Sequence, residues 1–245
     1  NFILMKKKIA IIGGGIAGLT LANFIKKNSD FEFMIYEKEE SLSLEGFGIQ
    51  LATNSVSILN KIGFKNINSE ELYHPRNLDF YSISNKKICD LDLTKFNSNE
   101  IRYTTLRRST LIDFLKDNIY TQHLRFGKRI KRISEIKDKI LINFEDNTND
   151  LVDNLVAADG IFSHTRSFVE TKKTTPKFKN VIAIRKILKS SHGLKIDTKN
   201  INLLMGSNTH IVIYPINKKN ELNLVCILRE KKFDPDNINL IIEKK

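Results

Sequence analysis

Residues 8–18 read KIAIIGGGIAG, and the architecture of the chain is predicted from this segment. Positions 8–12 form an apolar run rich in β-branched side chains, which predicts a strand buried on both faces of a parallel sheet. Apolar residues then recur at helical spacing from Ile16 to about residue 27, and residues 31–35 predict the next strand. A strand, a glycine turn, a helix and a second strand in this order indicate a right-handed βαβ unit.

The glycines within this stretch follow the spacing Gly13-x-Gly15-x-x-Gly18. Each glycine of this pattern is required for a different physical reason. Gly13 permits the tight turn, Gly15 lets the backbone approach a pyrophosphate, and Gly18 allows the helix to pack closely on the strand. The pattern is stronger evidence for a dinucleotide-binding motif here because a predicted strand precedes it and a predicted helix follows it.

The beginning of the predicted helix and the end of the second strand complete a dinucleotide site. The N–H groups of the first turn, which includes Ile16 and Ala17, have no partner within the helix and favour phosphate oxygens. Glu37, nineteen residues after Gly18, is suited to accept hydrogen bonds from a ribose diol, and Lys38 follows it. We therefore expect all of these residues to contact a dinucleotide cofactor.

Composition restricts the remaining possibilities. The 245 residues are 41% hydrophobic, which suits a globular chain with a sizeable core. Two cysteines, Cys89 and Cys226, argue against a disulfide framework or a Cys-rich zinc site and favour a reducing cytoplasm. No histidine or acidic spacing indicates a metal site. Glycines interrupt the apolar run after Lys6-Lys7-Lys8, so we read no targeting segment, and no stretch is long enough to span a membrane.

The formal net charge of +12 raises the alternative of a basic nucleic-acid-binding module. Arginine contributes only 10 of the 40 basic residues, and the lysines are scattered among abundant Ile and Asn, as an AT-biased coding sequence produces. No basic stripe interleaved with aromatic residues is present. We therefore expect no nucleic-acid partner.

The rest of the chain alternates helical and strand patterns. We expect a helix over residues 54–62 ended by Gly63, an antiparallel hairpin from residue 78, and a strand at 101–106. Thr110 and Asp113 approximate a capping box that opens another helix. Further strands are predicted at 155–158, 181–187, 201–205, 210–216 and 221–228.

Four segments in order resemble motifs of one family, the FAD-dependent aromatic-ring hydroxylases (group A flavoprotein monooxygenases, including the salicylate-hydroxylase-like members). Residues 46–54, GFGIQLATN, are similar to GxGIxLxPN, with Thr53 where the family usually has Pro. Residues 108–111 match RxxL, residues 158–166, ADGIFSHTR, are similar to ADGxxSxxR, and residues 210–215 resemble HxVxYP. The resemblance covers about residues 7–229.

The resemblance implies a function and a set of site residues. Family members take a hydride from NADH or NADPH to FAD, form a flavin C4a-hydroperoxide with O₂, and hydroxylate an aromatic or similar electron-rich small molecule. It implies that Gly48, Arg108 and Asp159 contact FAD, although the adjoining Arg107 is an alternative to Arg108. His210 and Tyr214, which share one strand face, become candidates for orienting or deprotonating the substrate, or for a structural pair. A reductase of the same fold and a ubiquinone-pathway hydroxylase remain alternatives, and the oligomeric state stays open.

The resemblance also implies the fold, an α/β Rossmann-like three-layer FAD-binding domain with an inserted antiparallel substrate sheet. We expect the FAD-binding domain at 5–73 and 98–175, the substrate sheet at 74–97 and 176–230, and a truncated helix at 231–245. The family carries a later Gly-Asp motif that contacts the flavin, and this chain has no Gly-Asp dipeptide. We therefore expect a C-terminally truncated fragment that is inactive without the missing segment.

Overall fold

The computed structural model describes residues 6–27, 30–42, 46–170, 175–189 and 193–229. Its strands are β1 (Lys7–Ile12), β2 (Phe31–Tyr36), β3 (Gly48–Leu51), β4 (Leu72–Tyr73), β5 (Asn77–Ser82), β6 (Lys87–Asp92), β7 (Thr104–Arg107), β8 (Leu124–Arg125), β9 (Ile130–Ile136), β10 (Lys139–Phe144), β11 (Asn149–Val152), β12 (Asn154–Ala157), β13 (Val181–Leu188), β14 (Ile201–Met205), β15 (Thr209–Pro215) and β16 (Leu222–Arg229). Its helices are α1 (Ile16–Ile25), α2 (Thr53–Asn60), α3 (Arg108–Asp117) and α4 (Arg166–Val169), with 3-10 turns at Phe64–Asn66, Ser69–Glu71, Leu93–Phe96 and Thr121–His123.

The elements form two compact units, and the chain passes between them more than once. The first unit comprises Asn1–Gly46 and Arg108–Pro176, and the second comprises Phe47–Arg107 and the residues from Lys177 onward. The helix expected within 231–245 lies outside the described residues. Among the helices in the described ranges, none is long and apolar enough to cross a membrane.

The first unit has three layers around a parallel sheet in the order β12-β1-β2-β8. One face packs on the antiparallel sheet β11-β10-β9 through the buried side chains of Ala10, Ile12, Tyr36, Ile142, Phe144 and Val152. The other face meets α1, where a Cβ built on Gly18 would lie 3.2 Å from Ile11 Cγ2. Helix α1 is tied to α3 because Asn23 Nδ2 donates to the Leu115 carbonyl at 2.8 Å. The expected three-layer α/β fold is confirmed.

The second unit contains a six-stranded sheet in the order β13-β16-β15-β14-β5-β6 and a three-stranded sheet in the order β3-β7-β4. The larger sheet was expected to be antiparallel, and its strand pairs are antiparallel except for β14 and β5, which are parallel. Between these two strands the chain leaves for the first unit and returns at β13. A long connection of this kind permits a parallel pair, whereas a tight hairpin requires an antiparallel one.

Local boundaries differ from the expected ones in two regions. Residues 47–73 and 98–107 were assigned to the FAD-binding domain, but they pack within the second unit, where β3, β4 and β7 pair with one another. The capping box predicted at Thr110 is wrong in position. Strand β7 ends at Arg107 and α3 begins at the next residue, so Thr110 lies within the first turn of the helix.

Truncation of Phe144 to Ala tests the core of the first unit. Phe144 is 2% exposed and packs on Tyr36 with ring centroids 4.8 Å apart. We expect Phe144→Ala to lower the free energy of unfolding by about 3–5 kcal/mol because it leaves a cavity between the two sheets. Phe162, which is 74% exposed, provides the control, and Phe162→Ala should change stability by less than about 0.5 kcal/mol. Equal effects in urea denaturation would contradict this packing.

Candidate dinucleotide site and a polar cluster

Two glycines of the turn after β1, Gly13 and Gly18, pack so closely on backbone atoms that neither position has room for a side chain. Gly13 has a φ of +109°, and a Cβ built on it would lie 2.5 Å from the Ala158 carbonyl oxygen. A Cβ on Gly18 would lie 2.0 Å from the Gly13 carbonyl oxygen. These two positions bring the first strand, the first helix and the segment after β12 together, and their role is close packing.

Gly15 differs from Gly13 and Gly18 because a side chain at this position would face open space. A Cβ built on it would have no heavy atom within 4 Å. Gly15 precedes α1 in an extended conformation, no side chain caps the helix, and its first turn contains no acid. Gly15 therefore leaves open space beside the start of α1. The first-turn N–H groups of this helix, including that of Ala17, are available to an anion.

Glu37 lies beside this turn at the end of β2. Its Oε2 accepts a hydrogen bond from the Gly14 N–H at 2.7 Å, and its Oε1 accepts one from the Glu39 N–H at 3.1 Å. An ionised carboxylate has about four acceptor positions, so about two remain for a ligand. The carboxylate is thus fixed in place and still able to bind hydroxyl groups.

A cleft of about 230 Å³ lies in front of these groups within the first unit. The residues expected from the sequence that line it are Gly13, Gly15, Glu37, Lys38 and Asp159. The other lining residues, which were not expected as site residues, are Ile12, Tyr36, Lys128, Arg129, Ile130, Ala158, Gly160 and His164. Lys128 and Arg129 are distant from Glu37 along the chain, and no local motif marks them. Only the pairing of distant strands brings them to the cleft.

The Asp159 carboxylate organises the loop after β12. Oδ1 accepts hydrogen bonds from the hydroxyl groups of Ser163 at 2.5 Å and Thr165 at 2.6 Å, and Oδ2 accepts from the N–H groups of His164 at 2.9 Å and Thr165 at 3.2 Å. Burial by itself raises the pKa of Asp159, but the hydrogen bonds outweigh burial and hold the pKa below its usual range. Asp159 therefore shapes one wall of the cleft while its carboxylate is occupied within the loop.

The two adjacent arginines have different surroundings. Arg107 ends β7 and forms a two-point ion pair with Glu221, with its Nη2 at 2.7 Å and its Nε at 3.1 Å from the carboxylate oxygens. Arg108 begins α3 in the first unit, and a Cβ on Gly46 would approach the Arg108 Cβ at 2.9 Å. Arg108 does not line the cleft described above. Its expected contact with a cofactor stays a prediction.

Gly48 lies in β3 of the second unit, where its place is set by close packing. Its N–H donates to Asn223 Oδ1 at 2.6 Å, and a Cβ at this position would lie 2.6 Å from the Asn223 Cβ. This contact explains why a glycine is needed here. The cofactor role that the resemblance implies for Gly48 stays a prediction.

His210 and Tyr214 lie on the same face of β15, but the structure does not bring them together. Four residues along a strand span roughly 13 Å, and His210 is exposed whereas Tyr214 is 4% exposed. Tyr214 is hydrogen-bonded to Gln50, and the Tyr103 hydroxyl donates to Gln50 Oε1 at 2.8 Å. Tyr214, Gln50 and Tyr103 form what we term the tyrosine–glutamine cluster.

Burial raises the pKa of Tyr214 to about 12, although the positive charge of Arg185 and the hydrogen bond with Gln50 act in the opposite direction. Tyr214 is therefore protonated at neutral pH. A phenol in this state can orient a substrate by hydrogen bonding, but it is not a base. Among the described residues, no group of three or more His, Cys, Asp or Glu side chains is placed to hold a metal ion.

Comparisons with known proteins agree with this architecture. Residues 11–69 match the family of NAD(P)-binding Rossmann-like domains. The chain is 23% identical to the 3-amino-4-hydroxybenzoate 2-monooxygenase PtmB3 of Streptomyces platensis, over 94% of this chain and 59% of that protein. It is also 23% identical to the 6-hydroxynicotinate 3-monooxygenase of Bordetella bronchiseptica, over 94% of this chain and 61% of that protein.

Among solved structures, the chain is similar to Klebsiella pneumoniae HpxO complexed with FAD and uric acid. The TM-score is 0.81 at 20% identity, and the match covers 97% of this chain and 61% of the other. The resemblance to FAD-dependent aromatic-ring hydroxylases is confirmed in sequence and in fold. The chain spans about three fifths of the length of the relatives that it matches.

The hydrogen bonds of Asp159 predict a pH-dependent contribution to stability. Because the pKa of Asp159 is lowered on folding, its contribution is present above the pKa of an unfolded aspartate, about 3.9, and is lost as the pH falls through the folded value. We expect Asp159→Asn to destabilise the protein by about 1–3 kcal/mol at pH 7, and the difference should shrink below about pH 4.

Asp138→Asn, in the exposed turn between β9 and β10, is the matched control and should have little effect at either pH. The measurement is urea unfolding followed by circular dichroism between pH 7 and pH 2.5. A difference between wild type and Asp159→Asn that stays constant over this range would contradict the assignment.

Proposed function

We propose that the protein works as an FAD-dependent monooxygenase, which hydroxylates an aromatic or similar electron-rich small molecule with NADPH or NADH and O₂. The observation that carries the proposal is the open backbone at Gly15, which lies between the uncapped start of α1 and the fixed carboxylate of Glu37. The relatives named as aromatic monooxygenases and the FAD-bound solved structure support it.

The residues of the cleft suit the adenosine diphosphate portion of FAD. The phosphates would meet the first-turn N–H groups of α1, where a partial positive charge favours anions. The ribose hydroxyls would donate to the free acceptor positions of Glu37. Lys38, Lys128 and Arg129 line the same cleft and could approach the phosphates, although each also pairs with a neighbouring acid. Gly15 leaves space for the pyrophosphate, whereas a side chain would occupy it.

When bound, FAD supplies hydride acceptance from NAD(P)H and activation of O₂. The part left to this chain is binding, orientation and exclusion of water. Arg108 and Gly48 are proposed to contribute to the cofactor site by resemblance. The tyrosine–glutamine cluster offers hydrogen-bonding groups for a substrate hydroxyl, and its protonated Tyr214 would orient the substrate without removing a proton. His210 remains a second candidate on the same strand.

A reductase of the same fold is the second candidate, because cofactor binding alone does not separate the two activities. The free Cys89 and Cys226 support the cytoplasm as the proposed compartment. Small-molecule substrates are favoured over nucleic acid, since the described cleft is small and the lysine excess is spread along the chain.

Cofactor binding is tested by substitution at Gly15, which is the one glycine of the motif that is open to a side chain. We expect Gly15→Val to leave the melting temperature within about 2 °C of wild type, since the new side chain meets no protein atom and the extended backbone suits valine. Affinity for FAD and for ADP should fall at least tenfold, or about 1.4 kcal/mol. Titrations followed by calorimetry and flavin fluorescence measure both.

The role of Glu37 is tested with a matched pair of acids. Glu37→Gln should weaken FAD and ADP binding by about tenfold, because it replaces a charged acceptor with an amide, whereas it should leave binding of FMN, which has no adenosine, unchanged. Glu39→Gln, at the neighbouring exposed acid, is the control and should bind as wild type does. Failure of the wild-type chain to bind FAD and ADP at millimolar concentration would overturn the proposal.

The type of reaction is tested on the whole natural protein. We expect NAD(P)H oxidation to be stimulated by a subset of aromatic compounds and one atom of ¹⁸O₂ to enter the product, as detected by mass spectrometry. A reductase would oxidise NAD(P)H with electron transfer to an acceptor and would incorporate no labelled oxygen. That outcome would replace the monooxygenase with the second candidate.

A further inference from the structure

Another cavity of the first unit lies away from the cofactor cleft and shares no lining residue with it. It is a groove of about 730 Å³ at the start of β2, where Phe31 and Phe33 belong to its lining. The cleft lies at the opposite end of the same strands, beside Gly13 and Glu37. Lys8 lines the groove, and the five residues from Lys8 to Gly13 correspond to roughly 16 Å along a strand. A ligand in the groove would therefore be separate from a ligand in the cleft.

Lysines from two segments of the chain converge on this groove, which we term the lysine groove. They are Lys6, Lys8, Lys26 and Lys27. The first two belong to the region of β1, and the last two follow directly after α1, so only the fold brings them together. Lys8 donates to Asp150 at 2.5 Å, and Glu32 is the only acid among the described residues that line the groove. Because lysines outnumber acids in the lining, the groove favours an anionic ligand.

Aromatic rings lie beside these lysines. Tyr120 lines the groove and is 62% exposed, and the Lys26 Nζ lies 4.4 Å from the centre of its ring. The same ammonium group donates to the Asn118 carbonyl at 2.7 Å, which fixes its position. His123 lies between Tyr120 and Phe33, with ring centroids 6.3 Å and 4.7 Å away. A ring that is mainly exposed can stack on a second planar group, and the ammonium group beside it can bind an anion.

We propose that the lysine groove binds a mononucleotide, with its phosphates at the lysines and its base against Tyr120. Lysine ammonium groups form charge-assisted hydrogen bonds with phosphate oxygens, and an aromatic side chain stacks on any base. The volume of the groove is in the range of small-molecule sites, so the groove suits one nucleotide rather than a long strand. This assignment does not rest on the proposed function, because the groove and the cleft have no lining residue in common.

The test measures binding of ATP and of inorganic triphosphate by calorimetry in the Gly15→Val chain, in which the new side chain obstructs the cofactor cleft. Wild type with excess FAD provides the same measurement by a second route. We expect Lys26→Gln to weaken binding of both probes by about fivefold, because each loses a charged donor.

Replacement of the exposed ring separates the base from the phosphates. Tyr120→Ala should weaken binding of ATP by about fivefold and leave binding of triphosphate unchanged, because triphosphate has no base to stack. Lys131→Gln is the control for charge, since Lys131 is exposed on β9 and does not line the groove. This variant should bind both probes as its parent chain does.

Three results would overturn the inference: no binding of ATP, equal losses in Lys26→Gln and Lys131→Gln, or an ATP affinity that Tyr120→Ala does not change. Equal losses would mean that the net positive charge attracts anions without a site. Binding of oligothymidylate without binding of ATP would also contradict a mononucleotide site and would indicate a nucleic-acid strand instead.

An FAD titration of wild type separates this inference from the proposed function. Binding of FAD by wild type, without binding of ATP by the Gly15→Val chain, contradicts the lysine groove alone. Binding of ATP that depends on Lys26 and Tyr120, without binding of FAD by wild type, supports the lysine groove and contradicts the cofactor.

Discussion

The structure of the first unit depends on a backbone approach that excludes side chains at Gly13 and Gly18. A Cβ at either position would overlap a carbonyl oxygen, at 2.5 Å and 2.0 Å respectively. Strand β1, helix α1 and the segment after β12 can meet only because these side chains are absent. The same approach leaves Gly15 at the open end of the turn, so a single packing constraint creates both the core and the cleft.

Hydrogen-bond donors and carboxylates around the cleft determine what kind of ligand it would suit. The start of α1 offers uncapped N–H groups and no acid, while Glu37 is fixed by two backbone donors at the end of β2. One wall depends on Asp159, whose carboxylate is used within its own loop. The residues around the cleft therefore differ in their contacts: the Asp159 carboxylate is used within its own loop, whereas Gly15 and Glu37 line the open cleft.

The sequence was most informative where local chemistry alone determines structure. The βαβ unit, the glycine spacing and the strands β13–β16 follow from periodicity and from turn residues, and the structure confirms them. Features that depend on distant pairing were not predictable from local patterns. Lys128 and Arg129 reach the cleft only through the pairing of strands, and the parallel pair of β5 and β14 results from the passage of the chain through the first unit.

The start of helix α3 at Arg108 is another feature that local sequence patterns did not predict correctly. A capping side chain is common where a helix follows a loop, but β7 ends at Arg107 and α3 begins at the next residue. Thr110 therefore lies inside the helix and not at its N-cap. This direct junction also gives the two adjacent arginines different surroundings, because Arg107 ends a strand and pairs with Glu221 while Arg108 begins a helix of the other unit.

The distribution of positive charge distinguishes composition from function. Exposed lysine pairs such as Lys65 with Glu100 contribute little stability and are screened by salt, so the lysine excess has weak structural consequences. Arg107 differs from these lysines because a two-point ion pair with Glu221 holds it in a defined place. A rigid guanidinium in a fixed position can select a ligand by geometry, whereas a scattered charge of +12 can only attract anions in general. The lysine excess of this protein is therefore a feature of its composition, whereas the ion pair of Arg107 with Glu221 is a feature of its fold.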